Sequence, residues 1–85
     1  MAKKKKLQFQ PGDIIVMKDG RVCRVDHQGV DYAVVTWIDG NNENTYLWDL
    51  TEDDVESFFA PTAGDVFTFN VARSIHERLN RFKNL

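Results

Sequence analysis

The stretch Asp13-Ile14-Ile15-Val16-Met17-Lys18-Asp19-Gly20-Arg21-Val22-Cys23-Arg24-Val25 decides the fold. A β-branched run, entered through Pro11-Gly12, meets Asp19-Gly20, a strong short hairpin signal. The chain then returns with Val22 and Arg24 on one face and Cys23 and Val25 on the other. This predicts an antiparallel pair of strands over 13–18 and 21–27.

Gln28-Gly29 breaks the second strand, and 32–38 is the most β-prone segment of the chain. Alternation puts Tyr32, Val34, Thr36 and Ile38 on one face and Ala33, Val35 and Trp37 on the other. Asp39-Gly40-Asn41-Asn42 is a second dense turn signal. A fourth strand is predicted over 45–50, with Tyr46 and Trp48 on one face. Thr51-Glu52-Asp53-Asp54 reads as an acidic helical turn capped by Thr51, because acids suit the positive start of a helix. A fifth strand over 55–59 follows. Five short strands linked this tightly predict a mainly β fold, a small barrel that curls on itself to remove its edges.

Ala60-Pro61 separates this barrel from a tail. Beyond Asn70, the residues Val71, Ile75, Leu79 and Phe82 recur at helical spacing and predict an amphipathic C-terminal α-helix of about 10–15 residues. Ser74-x-x-Glu77 matches a capping box, although it falls inside a helix that begins near Asn70. Arg78, Arg81 and Lys83 occupy the last turns, where the helix dipole favours cations. The echo of Gly12-Asp13-Ile14-Ile15 in Gly64-Asp65-Val66-Phe67 extends no further and is read as chance.

Eighty-five residues make one domain, divided here into a disordered basic arm (1–8), the barrel (9–60), and a linker with the helix (61–85). Net charge is −2, but it is zoned: residues 11–60 carry eleven acids against Lys18, Arg21 and Arg24, while Lys3, Lys4, Lys5 and Lys6 crowd the start. An acidic body disfavours duplex nucleic acid over most of the surface, since phosphate contacts supply most of that affinity. A single cysteine, Cys23, rules out an internal disulfide and suits a reducing compartment. No apolar run approaches the ~20 residues of a membrane helix. A cytoplasmic protein is expected, of a size that suits a bacterial or bacteriophage accessory protein.

The pieces Gly12-Asp13, Asp19-Gly20, Val34-Val35-Thr36-Trp37, Asp39-Gly40-Asn41-Asn42-Glu43 and Leu47-x-Asp49-Leu50 together resemble the Tudor group of SH3-like barrels over residues 12–50. The resemblance implies a five-stranded barrel with a ligand held at its open end. Members that bind methylated cations surround them with several aromatics. Trp37 stands where one such aromatic is expected, and Asn41 or Asn42 supplies the family's amide. The other walls are Met17, Val22, Cys23 and Gly40, so the resemblance implies the fold rather than the methyl-cation activity. Other SH3-like barrels bind proteins or RNA, and fold alone does not choose among these.

Catalytic chemistry finds little footing. His27 and His76 lie at metal-ligand spacing neither from Cys23 nor from each other. No phosphate loop or nucleophile elbow occurs, and Cys23 reads as a small buried strand residue. The run Glu52-Asp53-Asp54-x-Glu56 lacks the alternating ligands of a calcium loop. No cofactor and no metal are expected.

The expectation is a non-catalytic binding module whose partner is a protein. Its interface is built from Trp37, Asn41, Asn42, Glu43, Tyr46 and Trp48, because Trp and Tyr dominate interface energetics. Two alternatives stay open: nucleic-acid binding through Lys3, Lys4, Lys5, Lys6, Arg73, Arg78, Arg81 and Lys83, and an acidic mimic of DNA. The helical stripe has three uses open to it: docking on its own barrel, pairing with a second copy or a partner protein, or a basic face for nucleic acid. Docking on the barrel is the expectation taken forward.

Overall fold

In the computed structural model, residues 7–83 are described, save the side chains of Asn80, Phe82 and Lys83. Five strands follow in order: β1 (Ile14–Met17), β2 (Val22–Gln28), β3 (Tyr32–Trp37), β4 (Asn42–Tyr46) and β5 (Val55–Phe59). A 3-10 turn (Leu47–Asp49) joins the last two, and one helix, α1 (Ala63–Lys83), closes the chain. The strands form one antiparallel sheet of order β4-β3-β2-β1-β5, so the fifth strand returns to pair with the first. The fold is mainly β with a C-terminal helix, as predicted. The sheet remains unclosed, with β4 and β5 as its edges. Both edges carry acids, Glu43 and Glu56, which discourage pairing with a further strand.

The two Asp-Gly signals make the same turn. Gly20 N–H donates to the Met17 carbonyl (3.0 Å) and Met17 N–H to the Arg21 carbonyl (2.8 Å). Gly40 repeats this with Trp37 (2.8 Å), and Trp37 with Asn41 (2.8 Å). In each case glycine takes a positive φ, +94° and +96°, which a side chain rarely tolerates. The loop is therefore a three-residue turn closed by a glycine bulge rather than a two-residue hairpin. The aspartate preceding each glycine accepts from the residue after it: Arg21 N–H to Asp19 Oδ1 (3.0 Å) and Asn41 N–H to Asp39 Oδ1 (2.9 Å).

Strand alternation assigns the faces as the sequence implies. Ile15, Met17, Cys23, Val25, Ala33, Val35 and Trp37 point inward, where Phe9, Leu47, Leu50 and Val55 complete the core. Leu7, which the sequence divides off with the arm, packs against this cluster. Phe9 meets Phe58 edge-on with centroids 4.9 Å apart. The lysines at 3–6 lie outside the described residues. β4 begins and ends earlier than predicted, because the chain turns at Leu47 to bury that side chain while Tyr46 stays out. Thr51 caps the turn before β5 as expected, its hydroxyl donating to Asp54 Oδ2 (3.0 Å) and accepting from Asp53 N–H (3.3 Å).

The helix departs from expectation in length and in orientation. It has 21 residues and starts at Ala63. Its start is a reciprocal capping box at Thr62-x-x-Asp65: Thr62 N–H donates to Asp65 Oδ2 (3.0 Å) and Asp65 N–H to Thr62 Oγ1 (3.2 Å). Ser74 and Glu77 lie in its interior. The stripe expected to dock does not. Val71, Ile75 and Leu79 are exposed, and the helix meets the sheet through Phe69, which is 4% exposed. Phe69 and Ala72 face a gap of about 200 Å3 over the outward side of β1 and β2, where Ile14, Val16 and Val22 lie. The reason is rotational: about 100° per residue sets Phe69 some 160° from Val71, so one face docks only by turning the other to solvent. Phe82, the stripe's last member, lies outside the described side chains.

Candidate functional site

Arg24 ties the helix to the sheet by two contacts. Arg24 places its guanidinium 5.5 Å over the Phe69 ring and donates from Nη1 to Asn70 Oδ1 (3.3 Å). Arg24 also donates to Asp26 (3.0 Å), which accepts from the Thr36 hydroxyl, which in turn accepts from Asn42 Nδ2 (2.7 Å). This polar chain crosses β2, β3 and β4 on the outward face, and it holds Asn42 in the sheet.

The docked helix also completes a cleft of about 460 Å3 at the end of the sheet where both Asp-Gly turns lie. Its walls include Arg21, Trp37, Asp39, Asn41, Glu43 and, from the helix, His76. Trp37 is largely engaged: its Nε1 donates to Glu43 Oε2 (2.8 Å), and the Arg21 guanidinium covers its ring at 4.7 Å. Arg21 is in turn held by Asp19 (2.7 Å). The Arg21 backbone N–H, then its guanidinium, hold the Asp19 carboxyl below its usual range. Asn41 donates both its N–H and its amide to Asp39. The cleft is mixed in charge, with Val22, Trp37 and Ile38 as its apolar lining, and its polar groups are bonded to one another.

At the opposite end of β4 the surface changes character. Tyr46 and Trp48 stack in parallel, centroids 4.2 Å apart and planes within 7°, and remain 52% and 58% exposed. Tyr32 pairs with Tyr46 across the strands, and with Asn44 they line a hollow of about 270 Å3. The Leu47 N–H donates to the Asp31 carbonyl (2.9 Å), which sets Asp31 beside the stack; Asp49 and Glu52 follow it in the chain. The six residues nominated from the sequence therefore divide. Trp37, Asn41 and Glu43 meet at one end of β4, Tyr46 and Trp48 at the other, and Asn42 belongs to the polar chain. The separation follows from strand geometry, since four residues of strand span roughly 13 Å.

The outward face of α1 is a third surface, and sequence reading missed its leading member. Phe67 is 70% exposed and begins a groove of about 310 Å3 that it lines with Val71, Ile75 and Arg78. Thr62-x-x-Asp65 was the signal that extends the helix back far enough to include it. Of the basic residues, Arg73 is paired with Glu77 (2.9 Å), while Arg78 and Arg81 are exposed. The side chains of Lys3, Lys4, Lys5, Lys6 and Lys83 lie outside those described.

Burial pushes the Cys23 thiol up to about 12, which leaves it protonated and unreactive at neutral pH. Among the described residues no three His, Cys, Asp or Glu side chains converge as metal ligands. No described helix is long and apolar enough to cross a membrane. No protein-family model matches the chain, nor does any curated protein or solved structure.

Proposed function

We propose that this chain is a non-catalytic protein-interaction module with an SH3-like, Tudor-like sheet, and that Tyr46 and Trp48 form its principal contact. The strand order β4-β3-β2-β1-β5, with a 3-10 turn before the returning strand, supports the SH3-like reading. The observation that carries the function is the exposed, parallel Tyr46–Trp48 stack. Two rigid rings held against each other outside the core offer contact area at small entropic cost, the property that makes Trp and Tyr interface anchors. With Asp31 bonded through its carbonyl to Leu47, and with exposed Asp49 and Glu52 following the stack in the chain, a partner with a basic, partly apolar surface fits best. A chain of the Arg21-covered Trp37 type is a poorer anchor, because its ring face is already occupied.

The experiment is capture from a cell lysate on the intact protein and on the Tyr46→Ala/Trp48→Ala double variant, each with and without nuclease, read by mass spectrometry. A protein retained after nuclease and lost with the double variant is the expected result. Removal of an anchor of this kind weakens binding by about 30-fold or more. Nucleic acid as the retained species, with every protein lost on digestion, would move the function to the basic residues.

A further inference from the structure

The helix α1 is largely uncovered. Of its described large apolar side chains only Phe69 is buried, while Phe67, Val71, Ile75 and Leu79 form an exposed stripe at i, i+4 spacing. Helices in proteins draw most of their stability from packing an apolar face, and a stripe of this extent on a small soluble chain marks a contact surface. Phe67 to Leu79 spans twelve residues, or about 18 Å of helix.

We infer that this stripe pairs with the same stripe of a second copy, the two helices running antiparallel about a two-fold axis near the level of residue 73. The sequence of the stripe is palindromic about that level. Phe67 falls opposite Leu79 of the second copy and Val71 opposite Ile75, so each large apolar residue meets an apolar residue in both directions, the isologous condition of a two-fold dimer. Charge selects the antiparallel sense. The first half of the helix (63–72) carries only Asp65, whereas the second half (73–83) carries Arg73, Arg78, Arg81 and Lys83 against Glu77. Antiparallel pairing sets the acidic start of one helix beside the basic end of the other and opposes their dipoles favourably. Parallel pairing would set Arg78 beside Arg78. The approach is open, since the stripe lies on the side of the helix away from the sheet. This surface is separate from the Tyr46–Trp48 stack, so either can fail without the other.

Sedimentation equilibrium of the full chain across micromolar to millimolar concentration tests the pairing. A mass rising to twice 9.8 kDa is expected. Ile75→Arg should weaken association by about 30-fold or more, the range of an interface anchor, and leave the circular dichroism unchanged. Register is read with a short bis-maleimide: Ser74→Cys, next to the axis, should cross-link between copies. Thr68→Cys, about 15 Å from its counterpart along the axis, should not. Cys23 is buried and does not compete. A monomer at every concentration would overturn the inference, as would association untouched by Ile75→Arg or cross-linking through Thr68→Cys. So would a monomer that binds vesicles of anionic lipid in a manner sensitive to Ile75→Arg, because the stripe would then belong to a lipid surface.

Discussion

The Arg24 guanidinium lies 5.5 Å over the ring of Phe69, and among the described helical side chains Phe69 is the one large apolar group that is buried. A cation from β2 and an aromatic from α1 thus meet where the outward face of the sheet would otherwise be bare. This contact, with the Arg24–Asn70 hydrogen bond beside it, sets the rotation of the helix and so determines which of its two apolar faces remains for other molecules.

Removing Phe69 should therefore undock the helix. Phe69→Ala is expected to lower unfolding stability by about 3 kcal/mol, the lower end for a buried phenylalanine because its site already borders a gap. Phe67→Ala, measured at low micromolar concentration, should change it by less than about 0.5 kcal/mol. Urea denaturation of the two variants distinguishes the faces; equal losses would contradict the docking described.

The helix start offers a second contrast. Thr62→Ala removes the hydroxyl that caps Asp65 N–H and should cost about 1 kcal/mol, with helical circular dichroism lost first from the N-terminal turns. Ser74→Ala, in the capping-box pattern that lies mid-helix, should be neutral or slightly stabilising, since alanine is the better helix former there. A larger loss at Ser74 would mean that the helix begins near residue 74.

At the cleft, Trp37→Phe keeps most of the apolar contact but leaves Glu43 without its indole donor. A loss of about 1–2 kcal/mol is expected for a charge-assisted bond that is partly exposed. Glu43→Gln preserves an acceptor and should lose less. If both variants were neutral by denaturant titration, the bond would contribute nothing to the cleft.

Cys23 provides a pH signature. Its thiol titrates near 9.0 when unfolded and is raised to about 12 in the core, where burial disfavours the thiolate. The unfolded chain thus binds fewer protons than the native one between these values. The contribution is fully present below pH 9 and declines as pH rises toward 12. Cys23→Ala should show a shallower fall of stability over this window than the parent chain, whatever its stability at neutral pH. Parallel curves would show that the thiol is not protected. At neutral pH, alkylation of the parent thiol should proceed only at the rate of opening.

Much of the fold was legible because its signals are local. Ile14-Ile15-Val16, the alternation through 22–25 and 32–37, and the two Asp-Gly turns each specify a strand face or a reversal within a few residues, and each appears where alternation places it. The helix was read too short because Val66-Phe67-Thr68-Phe69 is β-branched and aromatic, while its true start depends on the pair Thr62 and Asp65. The candidate site was legible as residue types but not as places. Trp37 and Trp48 look alike in the chain. One is covered by Arg21 and bonded to Glu43, the other stacked in the open on Tyr46.

Four of the strands with their faces, the glycine turns and the presence of a C-terminal helix follow from the sequence alone, because backbone preference and side-chain alternation act over neighbouring residues, whereas β4 begins three residues earlier than its pattern implies. Which helical face is covered depends on contacts between residues far apart in the chain. Both faces are apolar enough to dock, and periodicity reports a stripe without reporting what lies against it. The choice rests on residues distant in the chain: Ile14, Val16 and Val22 provide the surface, and Arg24 holds Phe69 and Asn70 onto it.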